Sequence, residues 1–250
     1  SDPDFKLVSA TIKTIKPTFN FKLIIHSEFR PQSGLGGSSS ICVGLIKAFY
    51  EIMEINIHKR DLVSFAYHIE RQVAGISGGW QDQYAAVYGG INFIEFNSNG
   101  DLVTPIILTD SQCASLETSI MFIDIPGNHD SGKIHDEQKK NTDKKAFFNL
   151  IEQNVILCSK MRNSLLKGNF KELGILMDKS WKIKKQFSTG ISNSEIDALY
   201  SKLKKLGIYG GKLLGAGGAG KMLVVYNRHK NFELKKKLHN YNILYETVNI

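Results

Sequence analysis

The spacing of apolar positions changes repeatedly along the chain, and each change marks a predicted element. Phe21 to His26 (Phe-Lys-Leu-Ile-Ile-His) predicts a strand. A turn rich in Gly, Ser and Pro follows from Pro31 to Ser40, after which Ile41, Leu45, Phe49 and Ile52 recur at near-helical spacing. The glycine turn therefore opens a helix. A second helix is expected from about Asp61 to Val73, with Asp61 either capping it or favouring its N-terminal dipole. Gly75-Ile76-Ser77-Gly78-Gly79 then breaks the chain, and a segment starting with Trp80-Gln81-Asp82-Gln83-Tyr84 ends at Gly89-Gly90. Ile91–Phe96 and Leu102–Leu108 predict two strands joined by Asn97-Ser98-Asn99-Gly100-Asp101, whose Asn-Gly pair signals a hairpin.

A further apolar strand is predicted at Ser119–Ile125, followed by a polar loop from Pro126 to Gly132. Helices are expected at about 142–165, 169–186 and 193–206, with Lys and Asn on their exposed faces. The glycine-rich run from Lys212 to Gly220 leads into a strand at Lys221–Tyr226, then a helix at about Phe232–Tyr241 and a last strand at Ile243–Val248. No internal repeat is visible. The boundary between two domains, 1–110 and 111–250, is set in the polar link near Ser111.

Composition narrows the class. The 250 residues are 42% hydrophobic and 22% charged, enough to bury a core and unlike a disordered chain. A net charge of +8 fits an anionic partner such as a nucleotide or phosphorylated metabolite, although a solvated lysine-rich surface gives the same number. The densest basic run, Arg228 to Lys237, carries Phe232, Leu234 and Leu238 like the inner face of a helix. Neither zinc-finger spacing nor an aromatic RNA-binding signature is present, so no nucleic-acid partner is expected. Cys42, Cys113 and Cys158 are few, odd in number and widely spaced, which points to free thiols and a reducing, cytoplasmic compartment. No apolar stretch reaches the roughly 18 residues of a membrane span.

Three places carry candidate chemistry. In Gly34-Leu35-Gly36-Gly37-Ser38-Ser39, a tight turn lets backbone N–H groups approach an anion, the following helix aims its positive end there, and serine hydroxyls offer oxygen to phosphate or magnesium. Glu70 and Asp82 flank a glycine break. Two carboxylates brought together there could hold a metal and accept a proton, and Trp80 and Tyr84 favour a partly desolvated setting for Asp82. Gly215-Ala216-Gly217-Gly218-Ala219-Gly220-Lys221 approaches the P-loop spacing but fails it. Met222 takes the place of the metal-binding hydroxyl, and Leu223-Val224-Val225-Tyr226 predicts a strand where a P-loop needs a helix.

Taken in order, these segments resemble the GHMP kinase superfamily along nearly the whole chain. Gly34 to Ser39 matches the core of its second motif, with Pro31 one position late and Ser39 in place of an alanine; Gly215 to Gly220 matches the third, near the C-terminus. Gly78-Gly79-Trp80-Gln81-Asp82-Gln83-Tyr84 and Tyr88-Gly89-Gly90-Ile91-Asn92-Phe93-Ile94-Glu95-Phe96 resemble sugar 1-kinases, those of D-glycero-D-manno-heptose 7-phosphate and fucose above all.

The resemblance implies a two-part α+β fold, with a ribosomal S5 domain 2-like N-terminal part and a ferredoxin-like C-terminal part. It implies ATP and Mg2+ as cofactors. Gly34, Leu35, Gly36, Gly37, Ser38, Ser39, Gly215, Gly217 and Gly218 would meet the nucleotide, Ser38 and Glu70 the metal, and Asp82 would orient or deprotonate the attacking hydroxyl. Gly79, Trp80, Lys133 and His135 are candidates for the acceptor, a sugar or sugar phosphate. The implied reaction is phosphorylation of heptose 7-phosphate at its anomeric hydroxyl. The alternatives are a kinase of a neutral sugar such as fucose or galactose, and a catalytically inactive nucleotide-binding relative. The superfamily's first motif, an N-terminal strand and glycine-rich turn, is not found here. The expectation is therefore a fragment, a shortened record or an inactive relative, with a sheet edge left uncovered and no activity from these 250 residues alone.

Overall fold

A computed structural model describes residues 5–27, 33–127, 134, 144–248 and 250. The chain divides into two compact units, Ser1–Pro105 and Ile106–Ile250.

In the first unit, helices α1 (Lys6–Ile15), α2 (Gly37–Ile52), α3 (Lys59–Tyr67) and α4 (Gln81–Tyr88) precede a hairpin of β1 (Asn92–Glu95) and β2 (Leu102–Pro105). Leu7 and Ala10 of α1, Cys42, Val43 and Ile46 of α2, and Leu62 and Ala66 of α3 bury their side chains together. These are the apolar stripes that helical periodicity predicts. Asp61 lies in the first turn of α3, where its charge complements the dipole, while His58 takes the cap position. Beyond Tyr67 the helix widens to a π-turn, His68–Val73, marked by the five-residue bond from Ala74 N–H to the Ile69 carbonyl (2.8 Å). The hairpin pairs Asn92 with Pro105 and Glu95 with Leu102, so the second strand stops at Pro105.

Residues 21–26 do not form the expected strand. A strand requires a paired ladder, and among the described residues none lies beside this segment. Phe21 packs on α2 instead, its ring 4.9 Å from that of Phe49, and Phe19 just before the segment lies 6.1 Å from the same ring. Helix α1 was not signalled in the sequence analysis.

The second unit contains α5 (Asp110–Glu117), β3 (Ile120–Ile125), α6 (Lys144–Leu166), α7 (Phe170–Lys184), α8 (Ser194–Leu206), β4 (Ile208–Leu213), β5 (Gly220–Tyr226), α9 (Asn231–Asn240) and β6 (Tyr245–Thr247). The segment read as a polar link near Ser111 is helix α5. A capping box starts it: the Thr109 hydroxyl accepts from the Gln112 N–H (3.3 Å), and the Gln112 side chain accepts from the Thr109 N–H (2.9 Å). The four strands make one antiparallel sheet in the order β4-β5-β3-β6. With helices between β3 and β4 and between β5 and β6, this is the ferredoxin-like arrangement. Its core gathers Met121, Ile123, Trp181, Leu203, Leu213, Met222, Val224 and Leu238.

Strand β4 was not predicted because Gly210 and Gly211 interrupt its apolar pattern. Packing explains the glycines: α7 lies so close on β4 that a Cβ at Gly210 would fall 2.1 Å from the Gly174 carbonyl oxygen and 2.8 Å from Asp178 Cβ. We expect Gly210→Ala to cost at least about 3 kcal/mol of stability in urea unfolding, because the obstacle is backbone that cannot turn aside. A loss of only a few tenths would show that α7 is free to move off the sheet.

Candidate functional site

The first unit collects most of the candidate residues around one buried carboxylate. Gly36 stands at the N-terminus of α2 with φ +70°, the left-handed region where a side chain is strained. Gly36 takes the cap position, and no side chain among the described residues caps the helix, so its first-turn N–H groups are open to solvent or a ligand. The Ser38 and Ser39 hydroxyls, in that first turn, both turn to Glu70. Ser38 Oγ donates to Glu70 Oε1 (2.5 Å) and Ser39 Oγ donates to Glu70 Oε2 (2.7 Å).

Glu70 comes from the π-turn and its side chain is wholly buried. It accepts a third bond from Gln83 Nε2 (2.5 Å), and Arg71 Nη1 stands 3.4 Å from Oε1. Each carboxylate oxygen thus faces two donors, which satisfies its acceptor sites without water. Gln83 lies on α4 next to Asp82, so the contact that buries Gln83 against Glu70 also fixes Asp82. Asp82 is half-exposed and sits against the glycine turn: a Cβ on Gly36 would lie 3.4 Å from Asp82 Cβ and Cγ. Gln81 Nε2 donates to Asp82 Oδ1 (3.3 Å). Trp80 stacks on Tyr67 with ring centres 3.5 Å apart and planes 1° from parallel.

The turn, Ser38, Ser39, Glu70 and Asp82 therefore belong to one cluster. Gln83 and Arg71 join it although the sequence analysis gave neither a role. Gln83 stood inside the quoted Gly78–Tyr84 motif as a polar residue on a helix, which was the only signal available. Pro31, Lys133 and His135 lie outside the described residues. A hydroxyl and a carboxylate form an all-oxygen set of the kind magnesium takes, and no group of three or more His, Cys, Asp or Glu side chains occurs among the described residues. The donor set fits an ion that keeps most of its shell on water and phosphate and takes the place of the Ser38 hydrogen bond to Glu70.

The second unit presents Gly215–Gly220 as a braced loop. Gly215, Gly217, Gly218 and Gly220 all have positive φ. A Cβ at Gly217 would lie 2.8 Å from Ile191 Cα, and Gly218 N–H donates to the Ile191 carbonyl (3.0 Å). Lys221 lies in β5 and bonds Asp124 (2.6 Å) and Glu246 (2.5 Å), away from any P-loop role. Lys184 ends α7 with its Nζ donating to the carbonyls of Leu213 (2.9 Å) and Gly215 (2.6 Å). Burial, with the like charge of Lys212 added, pushes its pKa down from 10.5 to about 7.

Two outcomes follow. Removing the buried carboxylate in Glu70→Ala strands Arg71 and three neutral donors, and is expected to cost on the order of 3 kcal/mol in urea unfolding. A neutral result would mean that water replaces it. For Lys184 the folded pKa lies below the unfolded one, so the unfolded chain binds the proton more tightly between about pH 7 and 10.5 and stability rises with pH across that window. The stability of the native protein relative to Lys184→Met should therefore increase from pH 7 to pH 10; a difference that does not move with pH would show an ordinary lysine.

Two family models match the sequence: GHMP kinases N terminal domain over residues 6–90 and GHMP kinases C terminal over residues 161–239. A D-glycero-alpha-D-manno-heptose 7-phosphate kinase of Campylobacter jejuni is 36% identical over 232 residues, covering 89% of this chain and 66% of the relative. A mevalonate kinase of Saccharolobus solfataricus is 26% identical over 229 residues, covering 88% of this chain and 66% of the relative. The chain thus spans just under two thirds of the length of these curated relatives. Among solved structures, a D-glycero-D-manno-heptose 1-phosphate kinase from Bacteroides thetaiotaomicron superposes with a TM-score of 0.73 at 23% identity, over 97% of this chain and 70% of that one. On its two domain matches and the fold they share, this chain belongs to the GHMP kinases.

Proposed function

We propose that the protein is an ATP-dependent sugar kinase that phosphorylates the anomeric hydroxyl of D-glycero-D-manno-heptose 7-phosphate. The observation that carries the reading is the junction of Gly36, Ser38, Glu70 and Asp82 in one cluster. It sets an uncapped helix N-terminus, suited to phosphate, against a half-exposed carboxylate, suited to an acceptor hydroxyl. The acceptor is taken from the name of the Campylobacter relative and from the Gly78–Tyr84 motif.

In this reading the N–H groups of Gly37, Ser38 and Ser39 hold phosphate oxygens at the start of α2. Magnesium, held through Ser38 and Glu70, would neutralise charge on the transferring phosphate. Asp82 orients the sugar hydroxyl and takes its proton. Trp80, with one face covered by Tyr67, offers its ring and neighbouring backbone to the sugar. Gly215, Gly217 and Gly218 are assigned to the nucleotide as backbone that approaches closely. The two functional halves are taken as 1–110 and 111–250. Cys42, Cys113 and Cys158 are unbridged, which supports a reducing, cytoplasmic setting, and no described helix is long and apolar enough to cross a membrane.

The test is ADP release by the intact protein with heptose 7-phosphate, fucose, galactose and mevalonate as acceptors. Turnover with the heptose alone is expected. Asp82→Ala should reduce it by about 10²-fold or more while ATP affinity changes little, because the carboxylate serves the acceptor. Turnover with a neutral sugar alone would replace the acceptor assignment. Loss of ATP binding in Asp82→Ala would refute its role.

A further inference from the structure

Arg71 has no part in the chemistry above, yet its guanidinium meets three backbone carbonyls and a buried carboxylate. Nη1 donates to the carbonyls of Ile76 (3.2 Å) and Ser77 (3.4 Å), and Nη2 donates to that of Gly79 (3.1 Å). The same Nη1 stands 3.4 Å from Glu70 Oε1, and the side chain is only 10% exposed. Its Cζ lies 6.0 Å from the centre of the Tyr67 ring, the ring that carries Trp80. A lysine has one point of charge and cannot span three carbonyls and a carboxylate at once; the planar fork of arginine can.

Gly78 completes the arrangement. A Cβ there would lie 2.6 Å from Arg71 Cζ and 2.7 Å from Nη2, so the absent side chain is the space the guanidinium occupies. Gly78 has no positive φ to account for it. Its reason is clearance for Arg71. The π-turn supplies the geometry, since it carries Glu70 and Arg71 in sequence while the chain returns close enough for Ile76 N–H to donate to the Glu70 carbonyl (3.0 Å).

We infer that Arg71 is a positioning residue that clamps the segment Gly75–Trp80 to the Glu70 carboxylate, and so sets Trp80 in place, while Gln83 holds Asp82. Its effect on catalysis rests on the kinase reading; the clamp itself does not. Loss of the clamp frees the segment Gly75–Trp80. The phosphate turn and Asp82 stay tied to Glu70 through Ser38, Ser39 and Gln83.

The experiment compares Arg71→Met, Arg71→Lys, Gly78→Ala and the double variant Arg71→Met/Gly78→Ala in the intact protein. Arg71→Met should raise the acceptor KM about tenfold or more, the scale of one lost bond to a charged group, with ATP affinity within about threefold of native. Arg71→Lys should not restore it. Gly78→Ala should show the same acceptor defect, and in the Arg71→Met background it should add little, because the methyl then meets no guanidinium. Additive losses, or an unchanged acceptor KM in both single variants, would overturn the proposal. Amide hydrogen exchange gives a readout without turnover. Residues 75–80 should exchange faster in Arg71→Met and Gly78→Ala while α2 keeps its protection, and unchanged exchange would also overturn the clamp. If the native protein phosphorylates no acceptor while exchange at 75–80 still accelerates in the variants, the kinase reading fails and the clamp stands.

Discussion

A carboxylate with no exposure to water has to find hydrogen-bond donors inside the protein, and the first unit is organised around meeting that demand for Glu70. An unpaired charge at such a depth would cost several kcal/mol even after relaxation. Its four neighbours come from three separate stretches of chain: Ser38 and Ser39 from the start of α2, Arg71 from the same π-turn, and Gln83 from α4. None of these stretches can move away without leaving a donor or an acceptor unmet. The cap position of α2 is Gly36, which has no side chain to cover the N–H groups of the first turn, while the serine hydroxyls are held on Glu70. The same contacts place Asp82, one residue before Gln83, against Gly36. A single buried charge thus ties the start of α2 to the helix that carries Asp82.

The glycines serve this frame for unlike reasons. Gly36 takes a left-handed φ and leaves contact room for Asp82; Gly78 yields its volume to a guanidinium. Gly217 combines positive φ with backbone contact at Ile191, and Gly210 lets a helix carbonyl approach a strand. In the second unit the brace is a buried amine, Lys184, whose Nζ holds two carbonyls at the entrance of the loop Gly215–Gly220. Both units therefore hold a glycine-rich segment with a buried titratable side chain carried by a helix. The cost of burying such a polar group is offset only while the segment keeps its shape.

How much of this was legible in the sequence depended on whether a property is local. Helices α2, α6, α7 and α8 follow from apolar spacing, and the β1–β2 hairpin from Asn99-Gly100 between two apolar runs. The P-loop near-match was resolved by the strand-like residues after Lys221, which is a local signal too. Residues 21–26 carry strand composition, but a strand is a relation between two segments, and the Phe21 ring found α2 instead. Strand β4 was hidden because its glycines answer to α7, which lies elsewhere in the sequence. In the site, Ser38, Glu70 and Asp82 were reached through ordered motifs. Arg71, Gln83 and Lys184 were not, because an arginine beside a glutamate on a helix looks the same whether its fork meets solvent or three carbonyls.

Relatives at 36% and 26% identity carry names with different acceptors, a heptose phosphate and mevalonate. Phosphoryl transfer makes the same demands whatever hydroxyl attacks: phosphate oxygens must be held, charge neutralised and the nucleophile aligned. In the proposed reading, the residues that meet those demands are the ones Glu70 ties together. On that reading, discrimination falls to side chains that the Glu70 network does not consume. Trp80 is such a residue: Tyr67 fixes one face of its ring, and the clamp on Gly79 fixes the backbone before it, but neither contact uses the indole edge or the second face. A hydroxylated ring and a branched acid differ most in the flat surface they can lay against an aromatic face. On that reading, the segment from Gly75 to Trp80 is where acceptor choice would change while the transfer chemistry stays as it is.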